Sequence, residues 1–407
     1  MNVLFLTMSM MTSIDQRGIY TDLMRKFRNE GHCVYIVAPM QRREGKPTTL
    51  IDVNGVKTLK VRTLNVQKAS IFEKGVGQVL IEYLFQRAIR KYLRNVHFDL
   101  ILYSTPPITF TNVVKYVKKR NPNALTYLLL KDIFPQNAVD IGLMSKFGIK
   151  GMLYQYFRNK EVELYKVSDY IGCMSPANVK YLLDHNSYID AKTVEVAPNS
   201  IEIVESFNCQ VNVRARQAML EKYGLPTDKP IFIYGGNLGK PQGITFLISC
   251  LEANKEREDC HFLIVGNGTE YGKITAWMQS EKPKSVSLFP HLPKEDYDQL
   301  VNACQVGLIF LDYRFTIPNY PSRLLPYLEN KMPIIAVTDP NCDMGTIAME
   351  NGYGLWVPSN NVRSFTNAVD KILASDIKKM GEKGFEFLKR NYLVENTYEA
   401  IITHLNC

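Results

Sequence analysis

The chain has 407 residues, 46% hydrophobic and 22% charged, which suits two or three domains with their own cores and excludes a disordered polymer. The net charge of +9 is uneven: residues 1–200 hold 28 Lys and Arg against 16 Asp and Glu, and residues 201–407 hold 21 against 24. An anionic partner is therefore expected for the first half only. An anionic membrane surface or a lipid-linked phosphate fits, and nucleic acid is not expected, because no nucleic-acid motif or aromatic–basic platform accompanies the charge.

The start, Met1-Asn-Val-Leu-Phe-Leu-Thr-Met8, carries no Lys or Arg before Arg17. It reads as a first buried strand rather than a signal peptide. Strand-length apolar runs follow at Cys33–Ala38, Leu100–Tyr103, Leu125–Leu130 and Tyr170–Cys173. Between the first two runs, Tyr20, Leu23, Met24 and Phe27 fall at helical spacing, and Gly31 can end that helix. This is a β-α-β unit, so a parallel sheet with helices on both faces is expected.

The pattern weakens at about residues 199–228 and then restarts. The second set of strands is Ile231–Tyr234, Phe262–Val265, Val286–Phe289, Gly307–Leu311 and Ile334–Val337. Two doubly wound domains in series imply a cleft between their strand carboxyl ends. The expected division is 1–198 plus 390–407 for one domain and 199–389 for the other. No apolar run approaches the length of a membrane span.

Cys33, Cys173, Cys209, Cys250, Cys260, Cys304, Cys342 and Cys407 form no C-x-x-C pair, and several lie in or beside apolar runs. They read as free thiols in a reducing cytoplasm. The six histidines show no metal-ligand spacing. Neither a metal nor another cofactor is expected.

Four segments carry candidate chemistry. Tyr234-Gly-Gly-Asn-Leu-Gly-Lys-Pro-Gln-Gly243 follows a strand and leads into a helix. Its glycines allow close backbone approach to a ligand, and Lys240 can neutralise a phosphate. The plain reading is a Gly-rich turn; neither the P-loop nor G-x-G-x-x-G is matched. Val265-Gly-Asn-Gly268 is a second tight turn after a strand. In Ile317-Pro-Asn-Tyr-Pro-Ser-Arg-Leu324, Ser322 is the expected N-cap and Arg323 lies in the first helical turn, where free N–H groups attract a diphosphate. An ordinary capped helix with a solvent Arg is the alternative. Leu130-Lys-Asp-Ile-Phe-Pro-Gln-Asn137 puts Asp132 at the end of a strand, as Ser104-Thr-Pro-Pro107 ends the preceding one. Asp132 can equally be a turn cap.

Asp296-Tyr-Asp298 imitates the D-x-D of metal-dependent transferases. It falls on a predicted helix at 293–303, where i and i+2 do not share a face. The segment Met144–Lys166 mixes Lys146, Lys150, Arg158, Lys160 and Lys166 with Met152, Leu153, Tyr156 and Phe157. It reads as a basic amphipathic helix that can pack on a core or lie in a membrane interface.

Taken together, Gly18-Ile-Tyr-Thr-Asp22, Asp132-Ile-Phe-Pro135, Ala197-Pro-Asn199, Gly236-Asn-Leu-Gly-Lys240, Gly266-Asn-Gly268 and Pro321-Ser-Arg323 give the chain a familiar order. It resembles family-4 glycosyltransferases of the GT-B fold, of the sort that build bacterial capsule and O-antigen. The resemblance covers nearly the whole chain. It implies an α/β protein with two Rossmann-like doubly wound domains facing a cleft, and a last helix at about 390–407 that returns to the first domain.

It also implies a nucleotide-diphosphate sugar, a UDP-sugar first of all, bound by Gly236, Asn237, Leu238, Gly239, Lys240, Gly266, Asn267, Gly268, His291, Leu292, Ser322, Arg323, Leu324 and Glu329. The acceptor, a saccharide on polyprenyl diphosphate, would meet Gln16, Arg17, Gly18, Ser104 and Asp132. Asp132, Lys240 and Arg323 would carry catalysis, with retention and without a metal. The protein would sit at the cytoplasmic face of the plasma membrane.

The chain departs from the resembling pattern in two places. Two glutamates eight positions apart, the second usually on the donor ribose, correspond here to Pro318 and Pro326, with Glu329 a possible substitute. Phe134, Gln136 and Asn137 replace the last three functional residues of a D-x-W-P-E-S motif. A UDP-sugar epimerase on the same architecture and a non-catalytic scaffold in a polysaccharide complex are the rival readings.

Overall fold

Runs such as Val3–Leu6 and Leu100–Tyr103 are apolar at every position and buried at every position. Such continuous burial is what a strand covered by helices on both faces requires. A computed structural model of the chain describes residues 1–11, 13–64, 71–203 and 213–405. It divides into two compact units, Met1–Glu202 with Leu393–Cys407, and Ile203–Tyr392.

The first unit is built on strands β1 (Asn2–Leu6), β2 (Cys33–Gln41), β3 (Thr49–Val53), β4 (Val56–Thr63), β5 (Leu100–Ser104), β6 (Leu125–Leu130), β7 (Tyr170–Cys173) and β8 (Val194–Val196). They lie in the order β3-β4-β2-β1-β5-β6-β7-β8. Every neighbouring pair is parallel except β3 and β4, which run antiparallel. That hairpin turns at Asn54-Gly55, where φ is 51° and 80°. Two successive positive φ values suit the right-handed twist of the strands, and Asn-Gly is the dipeptide that adopts them most readily. The parallel expectation thus needs one correction, at the sheet's edge.

The chain returns to this unit at its end. Val394–Thr403 is a helix packed beside Ile19–Asn29. Tyr398 stacks edge-on to Phe27 with centroids 4.9 Å apart, and Val394 N donates to Ile201 O at 3.0 Å.

The second unit carries β9 (Ile231–Asn237), β10 (His261–Asn267), β11 (Val286–Phe289), β12 (Val306–Phe310), β13 (Ile334–Thr338) and β14 (Gly354–Pro358). Their order is β11-β10-β9-β12-β13-β14, all parallel. Counted within the unit this is 3-2-1-4-5-6, the order of a dinucleotide-binding doubly wound sheet. Its core joins Phe232, Tyr234, Phe262 and Phe310 to Phe365, Val369 and Ile372 of the helix Val362–Leu373.

Cys173, Cys250, Cys260, Cys304 and Cys342 are buried free thiols, and Cys33 is an exposed one. Cys209 and Cys407 lie outside the described residues.

One buried charge fastens the first unit. Asp22, 1% exposed, accepts from Gly18 N at 2.9 Å, Glu202 N at 3.0 Å and Arg25 Nη2 at 2.7 Å. It ties the start of the first helix to the segment where the chain leaves the unit. Removing one partner of such a buried set leaves the others unpaired. Asp22→Ala is expected to destabilise this unit by about 3 kcal/mol, read from its denaturation midpoint. A loss under about 1 kcal/mol would remove Asp22 from this role.

Candidate active site

Doubly wound sheets bind ligands outside the strand carboxyl ends, where the winding reverses. In the second unit it reverses between β9 and β12. The Gly-rich turn leaves β9 there, and the segment leading to Arg323 leaves β12. Asp312 N, just past β12, donates to Pro241 O at 2.9 Å, so the two loops are joined.

The turn after β10 is locked to the same place. Leu238 N donates to Asn267 O at 3.0 Å, and Glu270 N donates to Leu238 O at 2.9 Å. A Cβ on Gly266 would overlap the Gly236 carbonyl, and one on Gly268 would overlap that of Leu238. Only glycine lets the backbones meet this closely. Inside the β9 turn, Asn237 Nδ2 donates to Gln242 Oε1 at 2.8 Å, and Gly239 N donates to the same oxygen at 3.2 Å. Gln242 therefore holds the turn's shape. Lys240 begins the short 3-10 turn Lys240–Gln242 and is exposed.

Arg323 reaches back to this turn. Its guanidinium carbon lies 4.6 Å from the centroid of the Tyr234 ring. The same carbon lies 3.3 Å from where a Gly236 Cβ would stand. Gly236 has φ 131°, a second reason for glycine there. Tyr327 accepts from Gly235 N at 3.1 Å, and the Tyr297 hydroxyl occupies the space a Gly235 side chain would need. Arg323 Nη1 is buried with no hydrogen-bond partner among the described residues, and no carboxylate there forms an ion pair with Arg323.

The helix that follows differs from expectation. It spans Leu324–Glu329, and Arg323 itself is the N-cap residue, with helical dihedrals and no side-chain cap. Ser322 is exposed and caps nothing. Leu325 N, the donor it would have bound, is taken at 3.1 Å by Ser322's own carbonyl, and Leu324 N goes to Pro321 O at 3.2 Å. Pro326 has no N–H at all, which the first helical turn tolerates. The helix start therefore offers few free N–H groups, and the charge of this site rests on the Arg323 side chain. Glu329 closes the helix, 3% exposed. Pro318 is also buried. His291 is exposed and Leu292 half-buried beyond β11, the edge strand two places from β9.

In the first unit the winding reverses between β1 and β5. The Tyr20 phenol, two residues past Gly18, lies near Ser104 and Asp132; burial first of all, and then the charge of Asp132, raise its pKa, while Ser104 opposes the rise. Thr105 Oγ1 donates to Asp132 O at 3.1 Å and accepts from Lys131 N at 3.0 Å and Asp132 N at 3.2 Å. Ser104 and Asp132 are thus brought together by Tyr20 and Thr105, two residues the sequence reading passed over, whereas Gly18 bonds within its own helix start, to Asp22 and Thr21. Tyr20 had been counted as part of a helix's apolar face.

The Asp132 carboxylate accepts from Asn137 Nδ2 at 2.7 Å, and burial pushes its pKa up to about 6. Beside it, Lys131 donates to Ala197 O at 2.8 Å, and burial pushes its ammonium down to about 7. Arg17 is tied to Glu202 O at 3.0 Å, and Gln16 is exposed.

Asp296 and Asp298 go separate ways on the helix Lys294–Ala303. Asp296 accepts from Lys222 Nζ at 2.9 Å and the Tyr223 hydroxyl at 2.6 Å, and Asp298 from Lys294 Nζ at 2.9 Å. Among the described residues no group of three or more His, Cys, Asp or Glu is placed to hold a metal ion.

The fold and the paired switch points define a GT-B protein. Residues 215–398 match the family described as Glycosyl transferases group 1. Over 373 residues the chain is 22% identical to the "Probable glycosyltransferase WbjE" of Pseudomonas aeruginosa, covering 88% of each chain. The sucrose-phosphate synthase of Thermosynechococcus elongatus shares the fold with a TM-score of 0.72 at 15% identity, over 99% of this chain and 98% of that one. Anabaena Alr3699/HepE, solved in complex with UDP, matches with a TM-score of 0.68 at 13% identity over the whole of both chains. The second unit thus carries a group 1 glycosyl transferase domain, and the protein is a glycosyltransferase.

The raised pKa of Asp132 has a kinetic signature. Burial favours the neutral acid, so the carboxylate forms only above about pH 6. If the carboxylate orients or deprotonates the acceptor, kcat/KM falls as pH drops through about 6. A pH–rate profile should show that acid limb, and Asp132→Asn should lose both the limb and most of the rate. A limb that persists in Asp132→Asn belongs to another group.

Proposed function

We propose that the enzyme moves a sugar from a nucleotide-diphosphate sugar, a UDP-sugar first of all, to a saccharide on a lipid diphosphate. The reading rests above all on one observation: the half-buried Arg323, with Nη1 out of solvent at the second unit's switch point, has no carboxylate among the described residues to neutralise it. A diphosphate is the anion that such a position accommodates. UDP in Alr3699/HepE and the transferase name of WbjE support the donor class and the reaction. In this reading Gly236–Lys240, Gly266–Gly268, His291 and Leu292 surround the nucleotide, Ser322–Leu324 face the diphosphate, and Glu329 answers for the ribose.

The chemistry follows from the charge. As the bond between the sugar's anomeric carbon and the diphosphate oxygen breaks, negative charge grows on the departing group. Arg323, with Lys240 at the turn, is set in place for that charge before it forms. The acceptor hydroxyl attacks on the face the diphosphate leaves, so configuration is retained. Its proton passes to a diphosphate oxygen, and Asp132 orients the hydroxyl. Fixed side-chain cations supply the stabilisation, so no metal is called for.

The lipid-linked acceptor and attachment to an anionic membrane surface belong to the same proposal. They are supported by the basic balance of the first half and by the helix Gly148–Val167. Phe147 and Met152 at its start are 84% and 74% exposed. No helix of the described residues is long and apolar enough to cross a membrane.

Thermal shift against UDP-, GDP- and dTDP-sugars tests the donor, since a ligand that binds the folded state raises apparent stability. UDP-sugars should stabilise most. Arg323→Met keeps the apolar stem and should lower kcat by about 100-fold or more, with the UDP-dependent shift lost; Lys240→Ala should lower kcat as well. Turnover within a few-fold of the parent in Arg323→Met would defeat the assignment.

Activity is further expected to persist in excess EDTA. Complete loss on chelation, restored by Mg²⁺ or Mn²⁺, would replace the side-chain account with a metal-assisted one.

A further inference from the structure

Residues 311–322, which carry the chain from β12 to Arg323, belong to no helix or strand. Such a stretch takes its path from whatever binds its backbone. Phe315, Ile317 and Tyr320 are buried. Apolar burial is not directional, so it gives the stretch depth but not a path. The path is set by three polar contacts from elsewhere in the second unit.

Asn341 Nδ2 donates to Phe315 O at 2.8 Å, and the Cys342 thiol donates to Asn319 O at 2.9 Å. The Tyr320 hydroxyl, three residues before Arg323, pairs with that of Tyr392, and both residues are buried. At the near end, Asp312 N is held by Pro241 O. The guanidinium that lies against Tyr234 is thus reached by a tethered backbone.

Two of the tethers have a common origin in the turn that follows β13. Asp339, fully buried, accepts with Oδ1 from Asn341 N at 2.9 Å and from Cys342 N at 3.1 Å. An aspartate turn of this kind places both side chains at once. Its Oδ2 is buried with no hydrogen-bond partner among the described residues. Burying a carboxylate that is served at one oxygen lowers stability. What the turn secures is the placement of Asn341 and Cys342.

Tethering matters for a cation because preorganised charge stabilises a developing anion without having to move. A shift of about 1 Å in such a group can cost about 100-fold in rate.

We propose that Asn341, Cys342 and Tyr392 are positioning residues for Arg323, with Asp339 setting the turn that carries the first two. They hold the guanidinium against the Tyr234 ring, where the donor diphosphate would meet it. The inference rests on the donor reading above and deepens it: affinity for the donor is governed in part by residues outside the two glycine turns and the Arg323 helix.

Two measurements on the full chain test it. One is calorimetric titration with UDP, carried to concentrations that measure the weaker binding of Arg323→Met. The other is amide hydrogen exchange of residues 313–324 without ligand. Asn341 is exposed, so Asn341→Ala should fold and keep the parent's denaturation midpoint. It should bind UDP about fivefold more weakly, and the segment should exchange faster. Cys342→Ala should behave alike, and Cys342→Ser, which keeps a donor there, should recover most of the affinity. In Arg323→Met there is no guanidinium left to position. Adding Asn341→Ala to Arg323→Met should therefore leave UDP binding as it is in Arg323→Met alone.

The same loss of affinity in both backgrounds overturns the inference. So does unchanged exchange, or unchanged UDP affinity, in Asn341→Ala. A lowered midpoint with parental affinity leaves Asn341 a structural role and overturns it too. UDP ignored by the parent, or bound by Arg323→Met as tightly as by the parent, removes the donor reading instead. Exchange then decides the hold on Arg323 by itself: faster in Asn341→Ala it stands, unchanged it falls.

Discussion

A guanidinium partly withdrawn from water, with no carboxylate beside it among the described residues, must find other company. Arg323 finds an aromatic face, Tyr234, with the ring's negative quadrupole toward the cation. Such a contact is worth about 2 kcal/mol when desolvated, well short of what a charge loses on leaving water. The rest of the second unit's site is arranged around that shortfall. Gly236 has no side chain because Arg323 passes over it, and Gly266 has none because the Gly236 carbonyl stands there. The hydrogen bonds between the β9 and β10 turns then fix both glycine positions at once. An anion placed against Arg323 would meet a surface that has nothing left to rearrange, the condition under which electrostatic stabilisation is most effective.

The first unit solves a different problem. Asp132 is a carboxylate partly withdrawn from water, and its surroundings supply few donors for the charged form. Asn137 is its side-chain donor, while Thr105 binds the backbone on either side of it. The residue is thus rigid in position but poorly solvated, which raises its pKa rather than lowering it. Burial depresses the neighbouring Lys131 as well, so two adjacent residues of opposite sign are both pulled toward neutrality near physiological pH. Perturbations of this kind gather where function outweighs stability.

Strands whose every residue is apolar were legible because burial on both faces leaves no polar position to confuse the pattern. The edge elements were not. β3 has no fully buried position and β4 intersperses polar residues among apolar ones, so the run of apolar residues that marks the interior strands is missing. Their hairpin signal, Asn54-Gly55, was nonetheless present as a dipeptide. β8 spans three residues, too few for any period to show.

The candidate site divides in the same way. Glycine turns after strands are local features and stand out in one dimension. Which side chains surround Arg323 is a tertiary fact: Tyr234, Tyr297 and Tyr327 come from a strand and two helices, and each had a sufficient explanation as core. Ser322 misled because capping was judged from residue type, whereas the backbone carbonyl of the same residue had already claimed the donor.

The prolines give this arrangement its internal logic. Pro318 and Pro326, which on the family resemblance correspond to two glutamates, stand five residues before Arg323 and three after it. Proline adds no charge. At Pro326 it also removes an N–H that the first helical turn would have left unsatisfied, so the exchange costs the helix little. The electrostatic result is larger than the structural one. Two nearby negative charges would partly neutralise Arg323 and would repel a diphosphate; without them the guanidinium faces an incoming anion with its full charge. Glu329, buried at the helix end, stands six residues from Arg323 and is the carboxylate that remains on this helix. With proline rather than a carboxylate at both positions, a donor held here as proposed would depend more on charge than on hydrogen bonds, and the site should then tolerate changes in the ribose better than changes in the diphosphate.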